Sequence, residues 1–97
     1  MIRFEWDAHK SRANMRKHGI EFDEAATVFK DPISITSYDP NHSEEEQRFI
    51  TVGMSTAGHL LLIAHTDRGD RIRIIGAREL TRRERQAYEE EIQRRSQ

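Results

Sequence analysis

The chain of 97 residues carries 16 lysines and arginines, 17 acidic residues and five histidines, with a formal net charge of −1. This length predicts a single domain over residues 1–97. There is no apolar run of bilayer length and no signal-peptide pattern, so we expect no membrane contact. The lack of cysteine excludes disulfide and thiol chemistry and favours a reducing, cytoplasmic location.

The first 19 residues predict a strand followed by a helix. Apolar and charged residues alternate over residues 2–6, which is typical of a half-buried strand. Asp7 is a suitable N-cap for a helix over residues 8–18, which Gly19 would end. The polar positions that share one face of this helix are Lys10, Asn14, Lys17 and His18. The positions expected to face the core are Ala8, Ser11 and Met15.

The middle of the chain predicts one short helix and then a run of strands. Asp23 is expected to cap a helix from Glu24 to Lys30, which the Asp31-Pro32 step would end. The expected strands cover residues 33–38, 47–55 and 59–66. A polar loop is expected over residues 39–43 and a hairpin turn over residues 67–70. The apolar run at 60–63 indicates a central strand.

The strongest chemical signal lies near the C-terminus, where seven arginines fall between Arg68 and Arg85. Arg71 and Arg73 alternate with isoleucines, so one sheet face should carry the arginines. Gly76 is expected to break this strand. Thr81 begins an S/T-x-x-E capping box for a last helix that ends near residue 95. The fold class predicted is α+β, with an antiparallel sheet of four to five strands, two N-terminal helices and one C-terminal helix.

Metal and cofactor chemistry have little support in the sequence. The histidines are scattered, with no H-x-x-x-H spacing, and they are His9, His18, His42, His59 and His65. There is no P-loop, dinucleotide fingerprint or nucleophile elbow. We therefore expect no metal and no cofactor. A basic surface separated from the acids could still bind a polyanion despite the near-zero net charge.

Three blocks in order resemble the BrnT family of bacterial toxins: FEWDAHKSRANMRKHGIEFDEAATVFKDP, an E-E-Q-R-F strand, and RIRIIGARELTRRERQAYE. The resemblance runs from Phe4 to Glu89. The family's strand block usually reads R-I-I-S-A-R, and here Gly76 stands in place of the serine. The resemblance implies a fold like that of RelE-type ribonucleases, and a ribonuclease activity that arrests translation and growth. It also implies neutralisation by a BrnA-like antitoxin with a ribbon-helix-helix domain. Operator DNA would then be bound only through that partner, and we expect a two-plus-two complex.

Metal-free RNA cleavage requires a base for the 2′-hydroxyl, stabilisation of the phosphorane and a proton for the leaving oxygen. Arginine suits the second task because its fork matches phosphate oxygens. We hypothesise that Arg73 and Arg78 clamp the scissile phosphate. The residues that would supply further charge or a proton are Lys10, Lys17 and His18. The expected RNA-binding residues are Arg71, Arg82, Arg83 and Tyr88, and the weaker acid/base candidates are His65 and Tyr88.

Structural roles compete with each of these assignments. Arg73 could pair with an acid on a neighbouring strand, and His18 could be a cation at a helix C-terminus. His65 could be a satisfied sheet histidine, and Arg82, Arg83 and Arg85 could pair with nearby acids. The alternative functions are a non-catalytic nucleic-acid-binding module and a protein-binding module. Steep salt dependence separates nucleic-acid binding from protein binding, and cyclic-phosphate product ends separate cleavage from binding.

Overall fold

The structure is a computed structural model that describes residues 2–42 and 46–97. The strands in this part of the chain are β1 (Arg3–Glu5), β2 (Ile35–Asp39), β3 (Arg48–Met54), β4 (Leu60–Arg68) and β5 (Arg71–Glu79). The helices are α1 (Ala8–His18), α2 (Phe22–Thr27) and α3 (Arg82–Arg95). Short 3-10 turns cover Val28–Lys30 and Pro40–His42. The predicted polar loop ends at Ser43, which lies outside the described residues.

The strands form one five-stranded sheet in the order β1-β5-β4-β3-β2. The α+β class is confirmed. The sheet is mixed, because β1 pairs parallel to β5 while every other neighbouring pair is antiparallel. The alternation of residues predicted that β1 is a strand, but it could not predict which strand β1 pairs with. That depends on the path of the chain through α1 and α2, which connect β1 at one edge of the sheet to β2 at the other edge.

Helix α1 has the predicted bounds and caps, and α2 does not. The Asp7 carboxylate accepts the N–H groups of His9 and Lys10 at 2.8 and 3.1 Å, and Gly19 adopts the left-handed conformation with φ 73°. In contrast, α2 begins at Phe22, so the prediction that Asp23 caps it is wrong. Phe22 is fully buried, and packing of this ring rather than a side-chain cap fixes the start of α2.

The core lies between α2, α1 and one face of the sheet. Its buried apolar members are Ile20, Phe22, Ala25, Val28, Leu61, Ile63, Ile74 and Ala77. Two positions that we expected to face the core, Ala8 and Met15, are exposed, whereas Ser11 and Asn14 are half-buried. Ser11 Oγ accepts the N–H of Phe22 at 3.2 Å. Helix α1 therefore docks through polar side chains, which apolar periodicity does not detect.

Strand β5 continues through Gly76, contrary to the expected break, and it contains a bulge. Ala64 pairs with Gly76 while His65 pairs with Ile74, so Ile75 is an extra residue. In a regular strand, residues five apart point to opposite faces. The extra residue shifts the alternation of side chains by one position. As a result, Arg73 and Arg78 both lie on the sheet face opposite the core. We call this side the open face.

Helix α3 begins with the predicted capping box. Thr81 Oγ accepts the N–H of Glu84 at 3.2 Å, and the Glu84 carboxylate accepts the N–H of Thr81 at 2.9 Å. No residue of α3 is buried. The Tyr88 hydroxyl donates to the Ile33 carbonyl at 3.3 Å, so α3 reaches from the end of β5 to the start of β2. Among the described residues, no helix is long and apolar enough to cross a membrane.

Candidate functional site

Cross-strand neighbours divide the open face into two chemically distinct ends. At one end, the register aligns Arg3, Arg71 and Arg68 in a row, and Glu5, Arg73, Thr66, Arg48 and Asp39 in the next. At the other end, Arg78 lies beside Leu62 of β4, and Gly76 lies beside Ala64. The first end is therefore crowded with charge, and the second combines small and apolar side chains with one arginine.

A pocket of about 180 Å³ lies at the second end. Its lining residues come from the end of α1, from β4 and from β5, and they are Asn14, His18, Leu62, Ala64, Gly76, Ala77 and Arg78. Gly76 contributes no side chain, and the added Cβ of a larger residue would lie 4.0 Å from Asn14 Oδ1. The pocket thus brings two of the predicted catalytic residues, His18 and Arg78, to the same place.

Asn14 holds the two sides of this pocket together. Strand β1 covers β5 only as far as Arg73, so the later part of β5 has an unpaired edge. The Asn14 amide fills it by donating to the Ala77 carbonyl at 2.8 Å and accepting the Ala77 N–H at 3.1 Å. It also donates to the Ile20 carbonyl at 2.8 Å. Since His18 lies one turn after Asn14, these bonds fix the position of His18 relative to Arg78.

Arg78 is held by a carboxylate at the start of α3. Its guanidinium donates to both carboxylate oxygens of Glu84 at 2.7 and 2.9 Å, and to the Glu79 carbonyl at 3.2 Å. These bonds lower the pKa of Glu84 to about 2 and raise the pKa of Arg78. The paired side chains remain 35% exposed, and Arg78 is one of the residues that line the pocket.

Arg73 pairs with an acid on the neighbouring strand, as the competing structural role described. The Arg73 guanidinium lies 3.4 Å from the Glu5 carboxylate, its register partner on β1. Five positions along β5 separate it from Arg78, which corresponds to about 15 Å. The structure therefore places the two arginines in different rows of the open face rather than around one point.

The other predicted cations lie outside the pocket. Lys10 and Lys17 are exposed on α1, and Arg82 and Arg83 are exposed at the start of α3. None of the ion pairs within residues 2–42 and 46–97 involves these four residues. The alternative role of Arg82 and Arg83, pairing with nearby acids, is therefore not seen among the described residues. His18 is also exposed. Among the described residues, the pocket is lined by His18 but not by Lys10 or Lys17.

Tyr88 and His65 both lie away from the pocket. Tyr88 contacts Ile33 near the opposite edge strand, and burial raises its pKa. His65 is 1% exposed on the core face. Its Nε2 lies 2.8 Å from Thr51 Oγ1 and its Nδ1 lies 3.0 Å from Asp67 Oδ1. Both ring nitrogens are therefore partnered, and burial lowers the pKa of this imidazole.

Two groups that sequence reasoning missed have defined geometry. The first is Asn14, whose place one turn before His18 gave a signal that we assigned only to a shared polar face. The second links α2 to the β3–β4 hairpin, where the Glu24 carboxylate accepts from Ser55 Oγ at 2.6 Å and contacts His59 Nδ1 at 2.7 Å. Glu24 raises the pKa of His59. Among the described residues, no three acidic or histidine side chains cluster as a metal site would require.

Comparison with known proteins identifies a family and a shared fold. A family model described as the ribonuclease toxin BrnT of type II toxin-antitoxin systems matches residues 6–84. The crystal structure of the Brucella abortus ribonuclease toxin BrnT matches with a TM-score of 0.62 at 16% sequence identity. The alignment covers 84% of this chain and 100% of the Brucella chain, which shows a shared fold. No curated protein matches.

Proposed function

Since the chain belongs to the BrnT family of ribonuclease toxins of type II toxin-antitoxin systems, we propose that it is a metal-independent endoribonuclease that cleaves RNA at the Arg78 pocket. The observation that carries this assignment is the junction of His18 and Arg78 at one pocket, fixed by the Asn14 bonds to Ala77. Cleavage would act in the cytoplasm, where it would arrest translation and growth.

Arg78 supplies the charge that the transition state needs. A guanidinium held by Glu84 is oriented before substrate binds, and Arg78 lines the pocket in which the phosphorane would form. His18 provides the proton transfer, because it lines the same pocket as Arg78 and an imidazole ring can both donate and accept a proton. We assign Arg78 rather than Arg73 to the scissile phosphate, since Arg73 lies in another row. Lys10, Lys17, Arg82, Arg83 and Tyr88 remain candidates for contacts beyond this pocket.

The partner that we propose is a BrnA-like antitoxin with a ribbon-helix-helix domain, in a two-plus-two complex. Helix α3 supports the need for a partner. Tyr88 and Ile92 are half-buried there, and with Ile33, which is 55% exposed, they line a groove of about 430 Å³. An exposed apolar groove of this kind is typical of a protein interface. Operator DNA would be contacted by the antitoxin alone.

The test is digestion of purified RNA in EDTA, with analysis of the product ends. Wild type should leave 2′,3′-cyclic phosphates, and Arg78→Ala and His18→Gln should each lower the cleavage rate by at least about 100-fold. Glu84→Gln keeps the arginine but removes the charge that orients it, so it should lose less activity than Arg78→Ala. If Arg78→Ala lost activity only in proportion to its loss of folded protein, measured by circular dichroism, the arginine would act only through the fold. RNA binding without cleavage, including with ribosomes present, would favour the non-catalytic binding module instead.

A further inference from the structure

The charged end of the open face contains a carboxylate where a phosphate would fit. Glu46 accepts two hydrogen bonds from the Arg68 guanidinium, at 3.0 and 2.9 Å. Arg48 and Arg73 are also close enough to lower the pKa of Glu46, after the larger effect of Arg68. A carboxylate on an arginine fork has the geometry with which arginine binds phosphate oxygens. Arg68 thus binds this carboxylate, and Arg48 and Arg73 add positive charge near it.

The adjacent row of arginines on the open face, to which Arg68 also belongs, is unfavourable without an anion. Arg3, Arg71 and Arg68 are direct cross-strand neighbours on three adjacent strands. Like charges placed opposite each other destabilise a sheet. Only one of these three, Arg68, has a carboxylate partner among the described residues. A polyanion lying along the row would relieve this repulsion, and the exposed carboxylate of Glu46 does so only in part.

A buried hydroxyl beneath the arginines is an independent sign of a ligand. Thr66 is 1% exposed and lies between Arg73 and Arg48 in the cross-strand register. Its Oγ1 has no hydrogen-bond partner among the described residues. Buried polar atoms nearly always have a partner, and leaving one without costs about 1–3 kcal/mol. A phosphate oxygen or its bound water would supply the acceptor that this hydroxyl lacks.

We propose that Arg48, Arg68, Arg73 and Thr66 form a second phosphate-binding site for the RNA backbone, which Glu46 occupies in the free protein. This inference rests on the proposed function, since it extends the substrate track from the Arg78 pocket along β5. Bound RNA displaces the Glu46 carboxylate and takes over its bonds to Arg68. Arg3 and Arg71 then contact the next phosphate. Glu46 therefore weakens RNA binding while it keeps the arginines in place.

The test measures binding of a fluorescently labelled 2′-O-methyl RNA oligonucleotide, which has no free 2′-hydroxyl and cannot be cleaved. Glu46→Gln should bind about threefold more tightly than wild type, because the competing ion pair is lost. Arg68→Gln should bind more weakly, and the slope of log K against log salt should fall by about 0.7. A gain of affinity in Glu46→Gln cannot come from a loss of folding.

Helix α3 offers matched controls with the same charge changes, because Glu91 forms an exposed ion pair with Arg94. Glu91→Gln and Arg94→Gln should leave binding within about twofold of wild type. Equal effects of Glu46→Gln and Glu91→Gln, equal effects of Arg68→Gln and Arg94→Gln, or a wild type that does not bind would overturn the second site. Because the probe is uncleavable, binding that responds to Glu46 and Arg68 supports this site even if wild type fails to cleave ordinary RNA.

Discussion

The side-chain amide of Asn14 and the backbone of Ala77, 63 positions apart, are joined by two hydrogen bonds of 2.8 and 3.1 Å. One amide group thus continues the hydrogen-bond ladder of β5 beyond the last residue of β1. This contact attaches the end of α1 to the strand that carries Arg78. It links the stability of the fold to the geometry of the pocket.

Asn14→Ala should lower the free energy of unfolding by about 2–3 kcal/mol, because it leaves backbone groups of the buried residues Ala77 and Ile20 without partners. The measurement is urea denaturation followed by circular dichroism. Asn41→Ala is the control, since Asn41 is exposed and should change the same quantity by less than about 0.5 kcal/mol. Equal losses in the two variants would show that the Ala77 contact contributes nothing specific.

Of the two glycines in the strands, Gly76 should tolerate an added methyl group and Gly53 should not. Gly76 does not have a positive φ, and the nearest atom to an added Cβ is 4.0 Å away, so Gly76→Ala and Gly76→Ser should stay within about 0.5 kcal/mol of wild type. A Cβ on Gly53 would lie 2.9 Å from Ser34 Cβ and 3.0 Å from Val28 Cγ1. Gly53→Ala should therefore lose about 1–3 kcal/mol. Thermal unfolding of the three variants measures these changes in stability. A clear destabilisation of Gly76→Ala would contradict the prediction that the space beside Gly76 accepts a methyl group.

The Arg78–Glu84 pair should make stability depend on pH in the acid range. The pKa of Glu84 falls from 4.5 to about 2 on folding, so its contribution is complete above about pH 4.5 and is lost as the pH falls toward 2. Screening of these partly exposed groups limits the effect to about 1 kcal/mol or less. Urea midpoints of wild type and Glu84→Gln should converge as the pH falls through this window. A constant difference would show that the Glu84 carboxyl group has the same pKa in the folded and unfolded chains.

Sequence patterns identified the elements of this fold better than the contacts that join them. The bounds of α1 and the cap of α3 follow from local chemistry at Asp7, Gly19 and Thr81, which the sequence displays directly. The bulge at Ile75 does not, because it depends on how β4 and β5 pair. Alternation along β5 would place Arg73 and Arg78 on opposite faces of the sheet, and only the bulge brings both onto the open face.

At the candidate site too, the sequence predicted which residue types are present but not which residues they contact. Arginine clustering located the open face, but it gave no information on which carboxylates hold each guanidinium. Glu5, Glu46 and Glu84 are distant in sequence from one another, and only the sheet register and the start of α3 bring them to Arg73, Arg68 and Arg78. The division of the arginines between the pocket and the charged end therefore required the structure.

Two histidines should contribute to the pH dependence of stability with opposite signs. Burial holds the pKa of His65 below 6.5, so the unfolded chain takes up a proton before the folded chain does. Stability should therefore fall as the pH drops below about 6.5. Glu24 raises the pKa of His59 above 6.5, so its contribution is complete below pH 6.5 and is lost as the pH rises through the folded pKa.

The measurement is the urea midpoint between pH 5 and 8 for wild type, His65→Gln and His59→Gln. His65→Gln is less stable at every pH, because Thr51 and Asp67 lose their ring partner, but its stability should fall less than that of wild type as the pH drops. His59→Gln should lose the stabilisation that wild type shows on the acid side. His42→Gln is the control, because its imidazole is 66% exposed and pairs only with Asp39 among the described residues. Parallel curves for wild type and His65→Gln would show that the buried imidazole has the same pKa in the folded and unfolded chains.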